Sequence, residues 1–436
     1  MGKGQKLYKE AKRLIPGGTQ LFSKRPEMIL PELWPAYYQK ARGCRVRDLD
    51  GKWYRDMSYM GIGACVLGYA HPEVDHAVKI AIDNGSMSTL NCPEEVELAK
   101  TLIKLHPWAN MARFARGGGE AMAIAVRIAR AFKGKDKILF CGYHGWHDWY
   151  LSANLSTDSA LDGHLISGLA PKGVPRALQG SALTFKYNDV QGFLNVFREN
   201  KNNLAAVVME PIRNFEPTKE FLETVRSETK KVGTVLIFDE VSAGWRMALG
   251  GAHLALGIEP DMAVFGKAMS NGYPMAAVIG RYDVMEAAQD TFISSTCWTE
   301  RVGPAAALAT IKIMKKNRVA AALVSTGKKV QGGWEKAAKK HGLDISIGGM
   351  PPIGHFKFKY PNALVLKTLF AQEMLKKNFL ATDAFYASCA HTTKDVSDYL
   401  DAVEDVFEII ARAVKNGSAA RLLRGPVCHG GFKRLA

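Results

Sequence analysis

The stretch TVLIFDEVSAGWR, residues 234–246, opens with five residues that are apolar or β-branched throughout and then breaks at Asp239 into a small-residue turn. An apolar run without polar alternation is the pattern of a strand covered on both faces. Three more runs of this kind flank it: KILFC at 137–141, LAAVVM at 204–209 and MAVF at 262–265. Helical patterns lie between them, the clearest being EAMAIAVRIARAF at 120–132. Strands that alternate with helices predict an α/β fold, a mostly parallel sheet with helices on both sides. Ligands of such sheets sit beyond the carboxyl ends of the strands, so an acid at position 239 is aimed at the expected site. A carboxylate there also fits a helix cap or loop, and Glu240 reads as the structural member of the pair.

Outward from this core the pattern changes. Thr392 and Asp395 form a capping-box pair ahead of Val396, Tyr399, Leu400, Val403, Val406, Phe407 and Ile410, which predicts an amphipathic helix to about residue 414. In the first 60 residues, VRDLDGKWYRDM places Asp50-Gly51 between alternating runs, a β-hairpin signal. The expected division is 61–320 for a large domain, with 1–60 and 321–436 forming a smaller α+β domain from both chain ends.

The 436 residues are 47% hydrophobic and 23% charged, which excludes a disordered or low-complexity chain. No apolar run approaches the roughly 18 residues of a membrane span, and the opening MGKGQKLYKEAKRL is charged where a signal peptide would be apolar. Lys6 stands where a myristoylation motif wants Ser or Thr. A cytoplasmic protein without a membrane partner is expected. Seven scattered cysteines without a CxxC pair predict reduced thiols and no metal site. The net charge of +16 favours anionic ligands, but the basic residues are dispersed, so nucleic acid is not an expected partner.

Two further features carry chemistry. Arg116-Gly117-Gly118-Gly119-Glu120 stands directly before the helical pattern; glycines let a ligand approach the backbone, and a helix start offers N–H groups to a phosphate. Lys267 follows the MAVF strand, where burial would lower its pKa and free an amine for a Schiff base, although a surface lysine fits the same position. A phosphate cradle, a strand-end acid and a lysine after the next strand are together the parts that pyridoxal phosphate needs.

With those parts placed, the chain resembles the class-III aminotransferases of PLP fold type I, and within them the branch of glutamate-1-semialdehyde 2,1-aminomutase. The likeness runs through IPGG at 15–18, DLDGKWYRDM at 48–57, GYAHPEV at 68–74, GYHGWHD at 142–148, VMEPI at 208–212, FDEVSAGWR at 238–246, FGKAMSNGYP at 265–274 and AHTTKDV at 390–396. It implies that Lys267 carries the cofactor and that Asp239 keeps the pyridine nitrogen protonated. It also implies that Val241 and Tyr143 cover the two ring faces, and that Gly118 and Gly119 hold the phosphate. Glu210 of VMEPI belongs to the same implied cofactor set, and His144 of GYHGWHD to the substrate side. Thr299 corresponds to a threonine that reaches the phosphate of a second subunit, so a homodimer is implied.

Departures from the family pattern bear on the substrate. Ser-Gly-Thr of the phosphate loop is replaced by Gly117-Gly118-Gly119, and the family's asparagine by Arg116, which leaves Arg116 either a phosphate partner, the favoured alternative, or a clamp for a substrate carboxylate. The aminomutase's Ser-Pro-Val-Arg stretch is replaced by TQLFSKRPEM, with Lys24 and Arg25 only approximately in register as substrate residues. The segment FLATDAFYASCAHT is short against relatives and offers Asp383 as a weak counterpart of an acid that manages an arginine switch. These losses favour an aminotransferase that moves an amino group between an amino-acid donor and an anionic or sugar-like carbonyl acceptor. The alternative is a 2,1-aminomutase; a non-catalytic basic binding protein is a remote third, opposed by the intact Lys267 and Asp239.

Overall fold

The computed structural model describes residues 1–435. The chain forms two compact units, Pro72–Ala321 and a second one built from Met1–His71 together with the chain from Ala322 to the carboxyl end.

The Pro72–Ala321 unit is organised on a seven-stranded sheet. In space the strands run Met111–Ala115, Ala276–Gly280, Met262–Phe265, Val235–Asp239, Leu204–Met209, Lys137–Cys141 and Ala182–Thr184. Six point the same way, and only Ala276–Gly280 runs against its neighbours. Every residue of Leu204–Met209, Val235–Asp239 and Met262–Phe265 is buried, which is why these runs carry no polar alternation. The expected α/β fold with a mostly parallel sheet is present, and the strand expected at 234–238 lies one residue further on, so that Asp239 is its last residue.

Helices cover both faces. On one, Gly118–Lys133 lays Met122, Ile124, Ala125 and Ile128 against a core that includes Phe140, Val208, Ile237 and Val264. On the other, Val190–Asn200 and Lys219–Val232 bring Phe193, Phe197, Phe221 and Val225 against Leu139, Val207, Leu236 and Phe238. Each fully buried side chain of this size contributes about 1.5–3 kcal/mol, so the central sheet is a rigid frame for whatever its strand ends carry.

The other unit holds two small sheets. Tyr38–Arg42, Arg45–Asp48 and Trp53–Asp56 form an antiparallel meander, and Phe379–Leu380 joins its edge in parallel, which ties the two chain ends into one body. The Asp50-Gly51 turn is present, with Gly51 at φ +88° and Asp48 Oδ1 accepting from the N–H groups of Asp50 and Lys52. Ile345–Gly348, Ile353–Phe358 and Ala384–Tyr386 make an antiparallel sheet. The helix Thr393–Lys415 starts with the Thr392 and Asp395 capping box. Residues 61–71 belong to this unit and not to the large one: Gly43 bridges to Tyr69, and the N–H of Cys389 and the hydroxyl of Ser388 both donate to the Val66 carbonyl. Among the described residues no helix is long and apolar enough to cross a membrane.

Candidate active site

Four neighbouring strands of the large sheet end at Cys141, Met209, Asp239 and Phe265, and each leads into a residue that carries chemistry. Lys267 lies two residues past the last of them. Its φ of +43° is left-handed for a residue with a side chain, a strain of about 1–3 kcal/mol of the kind held at functional sites. The ammonium Nζ donates to Ser242 Oγ at 2.6 Å. Burial pushes the Lys267 pKa down to about 7; the charges of Arg213 and Arg246 push the same way, and those of Glu210 and Asp239 oppose them. A lowered lysine pKa makes the neutral, nucleophilic amine available near pH 7. The rate at which the apo-protein captures pyridoxal phosphate is therefore expected to rise about tenfold per pH unit below 7 and to level off above it. Stopped-flow absorbance measures this, and a rate still climbing to pH 10 contradicts a buried Nζ.

Asp239 is 3% exposed and held at both oxygens. Oδ1 accepts from the Val241 N–H at 2.9 Å, and His144 Nδ1 donates to Oδ2 at 2.8 Å. The other ring nitrogen of His144 lies 3.2 Å from the Cys141 carbonyl. His144 is itself buried, so both of its polar edges are committed to protein. The expectation that His144 meets substrate is corrected on this point: it positions the Asp239 carboxylate from behind. Glu240 accepts from the backbone of Ala252 and His253 and from His253 Nδ1, and so caps the short helix Ala252–Leu256.

The side chain of Val241 brings three segments together. A methyl group on Gly118 would stand 2.8 Å from Val241 Cγ1, and one on Gly266, next to Lys267, 3.4 Å from it. Glycine at 118 is thus required by close packing at the start of the Gly118–Lys133 helix. Glu120 Oε2 takes the N–H groups of Arg116 and Gly117, while those of Gly118 and Gly119 make no hydrogen bond among the described residues. His147 Nδ1 is buried without a partner beside Gly119, 3.1 Å from where a methyl group on that glycine would stand. Two unbonded N–H groups at a helix start and an orphaned imidazole nitrogen fit a phosphate. With Asp239, Lys267 and the Val241 side chain alongside, the residues fit pyridoxal phosphate. Tyr143 packs on the same core cluster as Val241, edge-on to Tyr150, and its N–H donates to Glu210 Oε2.

Arg116 is engaged otherwise than expected. Its Nη1 donates to the Ala115 carbonyl, its Nη2 to the carbonyls of Trp298 and Glu300 at 2.8 Å each, and its Nε lies 2.7 Å from Glu300 Oε1. With Met275 Sδ 3.3 Å from Nη1 as well, each guanidinium nitrogen faces a protein acceptor and not the phosphate or carboxylate expected of it. Arg116 fastens the segment that carries Thr299 to the glycine loop, and Glu300 in turn accepts from the N–H groups of Val302 and Gly303 at the start of the helix Val302–Lys316. Arg116→Asn is expected to speed amide exchange at Trp298, Arg301 and Val302, since charge-assisted bonds of this kind contribute about 1.5–3 kcal/mol. Unchanged exchange there, combined with weakened cofactor binding, would return Arg116 to the phosphate.

The remaining expected residues lie as follows. Thr299 is exposed and donates to the Thr296 carbonyl. Lys24 and Arg25 belong to the terminal unit, where Arg25 sits over the rings of Phe22 and Phe432 and donates to the Lys433 carbonyl. In the same unit Asp383 pairs with the half-buried Lys367 at 3.0 Å, so its carboxylate is used locally. Three residues escaped the sequence reading. Ser242 and His147 stand in motifs already singled out, and Arg213 follows the EPI turn, where its guanidinium donates to Glu210 Oε1 at 2.8 Å.

The family model for aminotransferase class-III matches residues 31–356. A 3-aminobutyryl-CoA aminotransferase of Cloacimonas acidaminovorans (strain Evry) is 31% identical over 418 residues, covering 93% of this chain and 96% of its own. A glutamate-1-semialdehyde 2,1-aminomutase of Dechloromonas aromatica (strain RCB) is 32% identical over 431 residues, covering 93% and 98%. Among solved structures, the PLP internal aldimine form of the FumI protein of Sphingopyxis sp. MTA144 superposes with a TM-score of 0.86 at 28% identity, over 95% of this chain and 98% of that one.

Proposed function

The chain belongs to the class-III aminotransferases, enzymes that use pyridoxal phosphate, and from that premise we propose that it transfers an amino group between two small molecules, a donor amine and a carbonyl acceptor. The observation that carries the reading is the meeting of a depressed-pKa lysine and a fixed carboxylate at adjacent strand ends, with Val241 against both segments. When bound, pyridoxal phosphate supplies an electron sink for breaking the bond at the amino carbon. The residues of this chain bind and steer. The N–H groups of Gly118 and Gly119, with His147, would hold the phosphate, and Val241 and Tyr143 would pack on the ring. Asp239, fixed by His144 and the Val241 N–H, would keep a proton on the ring nitrogen. Lys267 Nζ would anchor the cofactor and, as a free amine, would move the proton at the donor carbon.

Transfer between two molecules is favoured over rearrangement within one because the carboxylate-gripping pattern is not kept, and Arg25, the nearest in register, is tied to Lys433 and two phenylalanine rings. The working unit in this reading is a homodimer in which Thr299, exposed in one chain, reaches the phosphate of the other. Seven cysteines without a disulfide suit a reducing, cytoplasmic setting. Incubation of the cofactor-loaded enzyme with single amino acids tests the function. Loss of the cofactor's visible band with release of one equivalent of keto acid supports transamination. A product that keeps its nitrogen at a neighbouring carbon, with no keto acid released, would replace it with the aminomutase reading.

A further inference from the structure

Past Glu210 the carboxyl edge of the sheet opens into a cavity of about 490 Å³, bounded by the residues that follow the strands Lys137–Cys141, Ala182–Thr184 and Leu204–Met209. It lies near Lys267, whose amine feels the charges of two of its lining residues, Glu210 and Arg213. Gly142 and Glu210 line it, and both flank Tyr143, whose N–H donates to Glu210 Oε2 at 3.3 Å. Arg213 lines it as well, held by Glu210 at 2.8 Å. None of these residues supplies the glycine N–H groups of the phosphate cradle or the Asp239 anchor.

The lining is specific in its balance. Its charged groups are Glu210 and Asp189 against Arg213 and Lys186, with Asp189 Oδ1 already accepting from the Gly192 N–H. His164 accepts from the Gly142 N–H through Nδ1, and burial pushes its pKa down to about 4, which leaves it neutral. A site for a simple anion would carry a surplus of positive charge, and one for an aliphatic chain would lack polar side chains. Ser159, Thr184, Lys186 and Asn214 also line it, and their side chains make no hydrogen bond among the described residues. Tyr187 and Phe215 add an aromatic pair, ring centroids 6.5 Å apart and inclined by 33°, with Phe215 65% exposed. An ion pair offering donors and an acceptor together, hydroxyl and amide groups awaiting partners, and aromatic faces for C–H surfaces match a polyhydroxylated ring.

We propose that this cavity receives the body of a sugar-like substrate, with Glu210, Arg213 and Asn214 bonding its hydroxyls and the Tyr187–Phe215 pair covering its apolar face. This rests on the proposed amino-transfer reading and names its substrate class: an amino sugar as donor in one direction, or the corresponding keto sugar as acceptor in the other.

The test uses the cofactor-loaded enzyme. Conversion of the cofactor band is followed with amino hexoses that differ in the position of the amine, with hexylamine, with 6-aminohexanoate and with L-glutamate. At least one amino hexose is expected to react about tenfold or more faster than hexylamine and 6-aminohexanoate. Asn214→Ala and Phe215→Ala are each expected to lower that rate about tenfold and to leave the L-glutamate rate within about threefold. Saturation-transfer NMR with methyl glucopyranoside gives a readout independent of turnover: transfer to the ring protons in the parent enzyme, lost in both variants. Equal or faster reaction of hexylamine or 6-aminohexanoate, absence of saturation transfer, or insensitivity of the amino-hexose rate to both variants overturns the assignment. If no amine of any class alters the cofactor band, the amino-transfer reading itself falls, and the sugar-substrate assignment with it.

Discussion

Lys267→Ala is expected to abolish steady-state turnover, by about 10⁴-fold or more, while leaving the protein folded and able to take up cofactor without a covalent link. Two functions are lost with one amine: the covalent anchor and the base that moves the proton at the donor carbon. The fold should survive because the change removes an amine whose hydrogen bond goes to Ser242 Oγ, and because the strained φ of +43° is a property of the backbone turn. Cofactor uptake should persist, weakened, since the glycine N–H groups, His147 and Asp239 are untouched. Multiple-turnover assays against the parent, with circular dichroism as the control for folding, check this. Turnover at the parent rate contradicts the role given to Lys267.

Asp239→Asn has the second largest expected effect. A neutral amide cannot hold a proton on a pyridine nitrogen, so the ring loses most of its capacity to accept electrons, and half-reaction rates should fall by about 10²–10⁴-fold. The substitution is nearly isosteric, and the Val241 N–H can still reach an amide oxygen, so cofactor should remain bound. His144 then faces an amide in place of the carboxylate while keeping the Cys141 carbonyl. Rapid mixing with a donor, watched by cofactor absorbance, separates slowed proton transfer from lost cofactor. Unchanged half-reaction rates contradict the assignment of Asp239 to the ring nitrogen.

The parts of this site that were legible in the sequence are those that the backbone fixes. KILFC, LAAVVM and MAVF read as buried strands because burial on both faces leaves no room for polar residues, and a strand end fixes where Asp239 points. Lys267 was legible by its place after the next strand. The one strand of the large sheet that runs against its neighbours, Ala276–Gly280, was not, because a strand buried on both faces has the same composition in either direction. Residues 61–71 read as part of the large domain, yet their partners Gly43, Ser388 and Cys389 are set by long-range pairing that no local pattern announces.

Side-chain direction was the least legible. Arg116 stands beside a phosphate-type glycine loop, and its sequence position suggests an anion; only the course of the chain at 298–300 shows three acceptors waiting for it. His144 stood in a conspicuous aromatic motif and reads as a substrate residue until the Asp239 carboxylate is seen 2.8 Å away. Arg213 carries a local signal, an arginine two residues after a strand-end Glu-Pro pair, a spacing that lets one turn bring the guanidinium back to Glu210.

The central claim is that Lys267, and no other lysine, bears the cofactor. Reducing the cofactor-loaded enzyme with borohydride, digesting it and mapping the modified peptide by mass spectrometry tests that claim most directly. The account predicts a single phosphopyridoxyl group on Lys267, in the peptide that contains FGKAMSNGYP. A label on a different lysine, or a protein that binds cofactor and yields no reduced adduct, contradicts it.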